Sequence, residues 1–408
     1  QPGPAPRFSR TTASVASPPA HAGQHTDEAL TEFRAVRRMT GNHEVLPTMA
    51  DEFTGGFLDF GIHDMSKEPR LAFNNSPTYT EQEINLDPWQ KSNAILSGLA
   101  DAVAAIEDGT VVRELQRGDL SKLLAAGWTM PEPLTVKARD GQTELRALLW
   151  RPAHFDSSKH YPIIDYIYPG PQIGSITSRQ FSVSPPGNVR ALAELGFFVL
   201  QVDALGTPGR SKAFHDFYYG NMGDNGIPDH IAAIKQIALK YPQVDLDRVG
   251  IFGHSGGGFS STDAILRYPD FFKVGVSQAG NHDNRIYEDD WGEKWQGLLE
   301  RRPNGTTNYD NQANQLLAKN LKGKLLIAWG TMDDNVPPNN SLVLINELIR
   351  YNKDFDVLPF PNRRHGFGNE PYMMRRRWDY FVRHLLGAEP PREFEFQGVA
   401  SQAPSVSP

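Results

Sequence analysis

The sequence predicts an α/β protein: a mainly parallel, twisted sheet with helices on both faces and an antiparallel hairpin at its N-terminal edge. Three observations carry that prediction. From Leu134 to Leu386, short apolar runs of strand character alternate with segments of helical period. Two strand-like runs flank Asp140-Gly141, a hairpin-turn signal. The run Val249–Phe252 passes directly into Gly253-His254-Ser255-Gly256-Gly257 and then into a helical pattern, a strand–turn–helix of unusual sharpness.

Taken in order, Leu134–Ala138 and Glu144–Trp150 are the hairpin strands, and Pro162–Tyr168 is a strand ending at Pro169-Gly170-Pro171. Val189–Leu195 is a helix stopped by Gly196, and it leads into strand Phe197–Val202. Pro228 starts a helix that runs to Tyr241, with Ile231, Ile234, Ile237 and Ala238 on one face. The strand Val249–Phe252 and helix Phe259–Arg267 follow, then strands Val274–Gln278 and Lys324–Trp329. Helix Ser341–Asn352, strand Asp356–Phe360 and helix Tyr372–Leu386 complete the alternation. These define a folded region over 131–387.

The flanks differ. Residues 1–26 are rich in Pro, Ala, Ser, Thr and Gly, and have too few large apolar side chains to offset chain entropy; they are expected to be disordered. Residues 27–130 read as partly helical. Thr26 can cap a helix over Asp27–Met39, and Ile95, Leu96, Leu99, Ala102, Val103 and Ile106 form a helical stripe within Pro88–Ile106. Residues 388–408 are Pro- and Ser-rich and read as a flexible tail.

A net charge of −7 argues against nucleic acid as the partner. Arg375-Arg376-Arg377 reads as a solvated helix face. No run approaches the roughly eighteen apolar residues that would cross a bilayer. With no cysteine, thiol catalysis, thiolate metal sites and disulfides are excluded, and the compartment stays open, periplasm and extracellular space included. The chain begins at Gln1 without a visible signal-peptide pattern, as a processed or partial chain would. His215, His230, His254 and His282 lack metal-ligand spacing, and nothing calls for a cofactor. Oligomeric state is not legible.

Gly-x-Ser-x-Gly between a strand and a helix is the pattern of a nucleophile elbow, in which flanking glycines permit a turn that exposes Ser255 above the sheet. A serine hydroxyl needs a base, and the base needs a carboxylate to fix its tautomer. Parallel α/β sheets gather such groups at the carboxyl ends of their strands. Two later strands end in loops carrying Met332-Asp333-Asp334-Asn335 and Arg364-His365-Gly366, in the order Ser, Asp, His of α/β-hydrolases. The residues alone leave Asp333 and Asp334 as alternatives.

Residues 131–387 resemble the catalytic domain of the prolyl oligopeptidase family of serine peptidases, and most closely its bacterial dipeptidyl-peptidase-IV-like branch. The motifs that carry the resemblance are Asp165-Tyr166-Ile167-Tyr168-Pro169-Gly170-Pro171, Gly253-His254-Ser255-Gly256-Gly257-Gly258, Gly330-Thr331-Met332-Asp333-Asp334-Asn335-Val336 and Arg364-His365-Gly366. The resemblance implies an α/β-hydrolase fold and a triad of Ser255, Asp333 and His365. It implies an oxyanion site made by the Tyr168 hydroxyl and the Gly256 amide. It also implies an aromatic substrate pocket with Tyr287 and Trp291 as walls, their spacing of four placing them on one helical face, and Asn335 holding a substrate carbonyl. The expected substrate is a short peptide with a small residue or proline in the aromatic pocket, cleaved in a prolyl or dipeptidyl-peptidase-like manner, or a small acyl compound, with esterase activity on the same triad as the alternative and a silent binding module as a third reading. Members of the family carry a β-propeller of blades about forty residues long before the catalytic domain; 27–130 has room only for a remnant or a replacement, and no residue in 1–130 matches the glutamate pair that binds the substrate's free amino terminus.

Overall fold

The structure, a computed structural model, describes residues 70–72, 102–107, 110–117, 121, 125, 128–176 and 186–394. The chain divides into two units: one formed by 1–86, 94–119 and 179–181, the other by 87–93, 120–178 and 182–408.

In the first unit, β1 (Arg70–Ala72), β2 (Ala102–Glu107) and β3 (Thr110–Arg117) form an antiparallel sheet in the order β1-β2-β3. This corrects the helix expected over Pro88–Ile106, whose last five residues lie in β2. Glu107 faces Thr110 in the antiparallel register of β2 and β3. Helical spacing of small residues was the weaker signal. The earlier part of that segment, the helix expected over Asp27–Met39, the 1–26 segment and 395–408 lie outside the described residues.

The second unit is built on eight strands: β4 (Glu132–Lys137), β5 (Glu144–Trp150), β6 (Tyr161–Tyr166), β7 (Phe198–Asp203), β8 (Val244–His254), β9 (Phe272–Gln278), β10 (Lys324–Gly330) and β11 (Asp356–Phe360). They lie in the order β11-β10-β9-β8-β6-β7-β5-β4. β4 and β5 are the antiparallel hairpin at one edge, β5 joins β7 antiparallel, and every pairing from β7 through β11 is parallel. Helices α1 (Val189–Glu194), α2 (Lys212–Asp216), α3 (Ile227–Lys240), α4 (Gly256–Arg267), α5 (Asp289–Gln296), α6 (Asn339–Arg350) and α7 (Pro371–Phe381) alternate with the strands, and a π turn over Val382–Leu386 continues α7. The short α2 and α5 are too brief to show a helical period and were not expected.

Both sheet faces are buried, and the strand period of two sorts neighbouring residues to opposite sides. Ile163, Ile251 and Ile327 join one core with Ile234 and Ile237 of α3 and Leu344 and Leu348 of α6. Ile164, Phe252 and Ala328 join the other, with Leu192 of α1 and Met373 and Phe381 of α7. Burying each such Leu, Ile or Phe contributes roughly 1.5–3 kcal/mol.

The Arg375–Arg377 run departs from its expected solvated face. Arg377 is 2% exposed. It donates to Gln278 Oε1 at 2.8 Å, Asn188 Oδ1 at 2.9 Å and Gly187 O at 3.0 Å, and its guanidinium lies 4.7 Å from the Phe252 ring centroid. Burial pushes it down to about 10, so it stays charged. Charge runs read as surface until tertiary acceptors appear.

Candidate active site

Ser255 sits between the last residue of β8 and the first of α4, with φ 58° and ψ −122°. A non-glycine residue in that region stores roughly 1–3 kcal/mol of strain. The surroundings over-determine it: Ser255 N donates to Gln278 O on β9 at 2.8 Å, and Phe259 N donates to Ser255 O at 3.0 Å. The glycines around it divide into two kinds. A Cβ on Gly253 or Gly257 would stand 2.3 or 2.2 Å from Ile167 O, and one on Gly258 would stand 2.2 Å from Gln278 O. Those three let α4 start against the strand ends. At Gly256 the nearest atom would be Tyr168 Cζ at 3.7 Å, an ordinary contact. As the first residue of α4, Gly256 has an N–H without an intrahelical acceptor.

β10 ends at Gly330, and the following loop buries Asp333 while leaving Asp334 exposed. Asp333 Oδ1 accepts from the amides of Val336 at 2.9 Å and Asn335 at 3.1 Å. Its Oδ2 lies 2.8 Å from His365 Nδ1. Asp334 pairs instead with Arg364, so of the two alternatives Asp333 is the one that meets His365. His365 opens the turn after β11, and its ring packs 4.8 Å, centroid to centroid, from that of His254. Burial, with the neighbouring His365 second, pushes His254 down to about 4. Residue 254 is therefore a neutral wall beside 365.

Tyr168 lies two residues beyond β6. Its hydroxyl accepts from Gln172 Nε2 at 3.1 Å, and its ring lines the pocket together with Ser255. Burial raises its pKa, which keeps the phenol protonated and able to donate. Asp203, at the end of β7, holds the loop: its Oδ1 accepts from Ser175 N at 2.6 Å and Ile176 N at 3.1 Å. Burial pushes this carboxyl up to about 6. On the other side of the loop, His215 Nε2 lies 2.6 Å from Pro171 O.

A pocket opens beside Ser255, lined among others by Tyr168, Tyr218, Phe259, Asn281, Tyr287 and Trp291. The rings of Tyr287 and Trp291 meet edge-on at 5.6 Å. They do so without sharing a helix: Tyr287 is extended backbone (φ −116°, ψ −171°), and α5 begins two residues later. The spacing of four on one helical face is corrected in that respect. Tyr287 OH donates to Asn335 Oδ1 at 3.2 Å, so Asn335 joins the same wall. Sequence reasoning missed Tyr218, Phe259 and Asn281. Phe259, one turn after Ser255 on α4, and Asn281, three residues past β9, were open to it; Tyr218 carries no local signal. His230 pairs with buried Asp165 at 2.8 Å and His282 meets Asn314 at 3.0 Å, both away from the pocket lining.

A strained elbow serine, a histidine oriented by a buried carboxylate and a phenol near the serine, all at strand carboxyl ends, define the class: an α/β-hydrolase fold with the site layout of that fold. The chain belongs to the prolyl oligopeptidase family, which its residues 182–388 match. It is 31% identical over 396 residues to the Aspergillus fumigatus protein named "Probable dipeptidyl-aminopeptidase B", covering 94% of this chain and 40% of that one. It is 29% identical over 241 residues to human dipeptidyl peptidase 8, covering 59% of this chain and 26% of the relative. Among solved structures, Porphyromonas gingivalis dipeptidyl peptidase 4 superposes with a TM-score of 0.60 at 25% identity, over 70% of this chain and 41% of that one. The chain thus spans well under half the length of the relatives it matches.

Proposed function

We propose that this chain carries the catalytic centre of a serine peptidase that cleaves short peptides through an acyl-enzyme. Ser255 attacks the scissile carbonyl while His365 Nε2 takes its proton. Asp333, accepting from Nδ1, holds the ring in that tautomer and stabilises the cation that forms. The oxyanion is met by the Tyr168 hydroxyl and the Gly256 N–H, and its charge develops where a pre-oriented donor is worth most. His365 then protonates the leaving amine, and water repeats the sequence on the ester to release the acid. Tyr287 and Trp291 wall the side-chain pocket. Asn335 spends its Oδ1 on Tyr287 and so has its Nδ2 available for a substrate carbonyl.

The observations that carry this reading are the Asp333–His365 pair and a serine in the elbow conformation, whose neighbour His254 packs its ring against that of His365. The names of the relatives support peptides as the substrate class. The test is fluorophosphonate labelling of Ser255, followed by rates on an unblocked alanyl-prolyl anilide, its amino-blocked form and a p-nitrophenyl ester. Labelling with anilide cleavage is expected. Ester turnover with neither these anilides nor any other alanyl-Xaa anilide cleaved would leave an esterase and overturn the peptidase reading.

A further inference from the structure

Behind the pocket lies a chain of buried carboxamides that point their hydrogens inward. Asn284 Nδ2 donates to Gln296 Oε1 at 2.7 Å, and Asn281 Nδ2 donates to Asn284 Oδ1 at 3.0 Å. Gln312 clamps the same segment, donating from Nε2 to Asn281 O and accepting from Asn284 N, both at 2.7 Å. All four residues are at most 5% exposed. Asn281 is the member that reaches the pocket lining. Its Oδ1 accepts no hydrogen bond among the described residues and stands unused on the pocket lining, at the end of a polarised amide chain. Tyr218 lines the same pocket, 4% exposed, and its hydroxyl too has no partner among the described residues. Room is left at Gly256, where no packing demands a glycine.

We propose that Asn281 is a specificity-determining residue, and that the pocket selects a substrate side chain carrying a neutral hydrogen-bond donor, of the Asn or Thr kind, over an apolar one of the same shape. The inference rests on the pocket beside Ser255 receiving the substrate side chain. The physical argument is one of satisfaction. An apolar side chain strips water from Asn281 Oδ1 and gives nothing back, whereas a donor replaces the lost bond. A site built to hydrogen-bond a substrate group discriminates against the analogue that lacks it more sharply than an apolar pocket discriminates by size.

The test is kcat/KM of the full chain on alanyl-Xaa anilides in two near-isosteric pairs, Asn against Leu and Thr against Val. The donor-bearing member is expected to be favoured about tenfold in each pair. Asn281→Leu should bring both ratios to one or below. Equal rates within the wild-type pairs would overturn the proposal, and so would ratios that Asn281→Leu leaves unchanged. The wild-type comparison decides even where the Leu variant fails to fold. Fluorophosphonate labelling separates the levels: labelled protein without preference refutes the role of Asn281 alone, and unlabelled protein refutes the catalytic reading as well.

Discussion

Replacing Asp333 by Asn tests the proposed mechanism at its most geometrically determined point. Asp333 Oδ1 is pinned by two backbone amides, at 2.9 Å and 3.1 Å, and only Oδ2 faces His365. An asparagine must keep an oxygen under those amides, because an NH2 there would leave two donors facing a third. Its Nδ2 is therefore turned to His365 Nδ1, which must become an acceptor. The imidazole proton moves to Nε2, the atom that should receive the serine proton. The expected loss in kcat is about 10⁴, or ~5.5 kcal/mol of transition-state stabilisation. The fold should hold, since the side chain is isosteric and its backbone bonds persist. Asp334→Asn is the matched control. It removes an exposed pair with Arg364, worth at most about 1 kcal/mol, and should leave the rate within about twofold. The assay is kcat on the substrate turned over by the wild type, beside urea unfolding of each variant. If Asp333→Asn keeps a tenth of the wild-type rate, or if Asp334→Asn is the damaging change, the tautomer argument fails.

Tyr168→Phe removes one oxyanion donor and should lower kcat by about 10²–10³ with KM little changed; its stability should barely move, because Gln172, its hydrogen-bond partner, is exposed, and an unaltered kcat would remove Tyr168 from the site. Gly253→Ala places a Cβ 2.3 Å from Ile167 O and 2.6 Å from the Gly257 carbonyl. It should destabilise by about 3 kcal/mol, and an unshifted urea midpoint would contradict the packing described. Burial pushes His282 down to about 3 and His254 to about 4. As pH falls below the unfolded value of about 6.5, the unfolded chain binds protons that the fold refuses, so each residue makes stability fall with falling pH until its folded pKa is reached. His282→Asn should flatten the slope of unfolding free energy between pH 6 and 4 by about 1.4 kcal/mol per pH unit. A variant whose urea midpoints track those of the wild type across that range would show that His282 does not bear this cost.

Much of this site was legible because its chemistry is local in sequence. The elbow needs glycines at fixed offsets around Ser255, since Gly253 and Gly257 must clear Ile167 O within one strand-to-helix turn. The order Ser255, Asp333, His365 follows from parallel strands delivering their carboxyl ends to one edge of the sheet. Strand and helix types in 131–387, the short α2 and α5 excepted, could likewise be read from apolar period, because the longer elements each bury at least one face. The failures share a cause as well. β2 was misread because small apolar residues fit either period, and partner strands made the choice. Arg377 looked solvated because its acceptors, Gln278, Asn188 and Gly187, are at least 99 residues away in the chain.

By itself, then, the sequence determined the sheet and the elbow and singled out the groups proposed to react, because those depend on side-chain period and on backbone sterics within a few residues. Which aspartate meets His365 was decided in three dimensions, by which carboxylate two backbone amides hold under the ring. So was the character of the pocket. Tyr218, Phe259 and Asn281 come from three segments that only the packed sheet brings together, and hydrogen bonds and desolvation act across space whatever the separation along the chain.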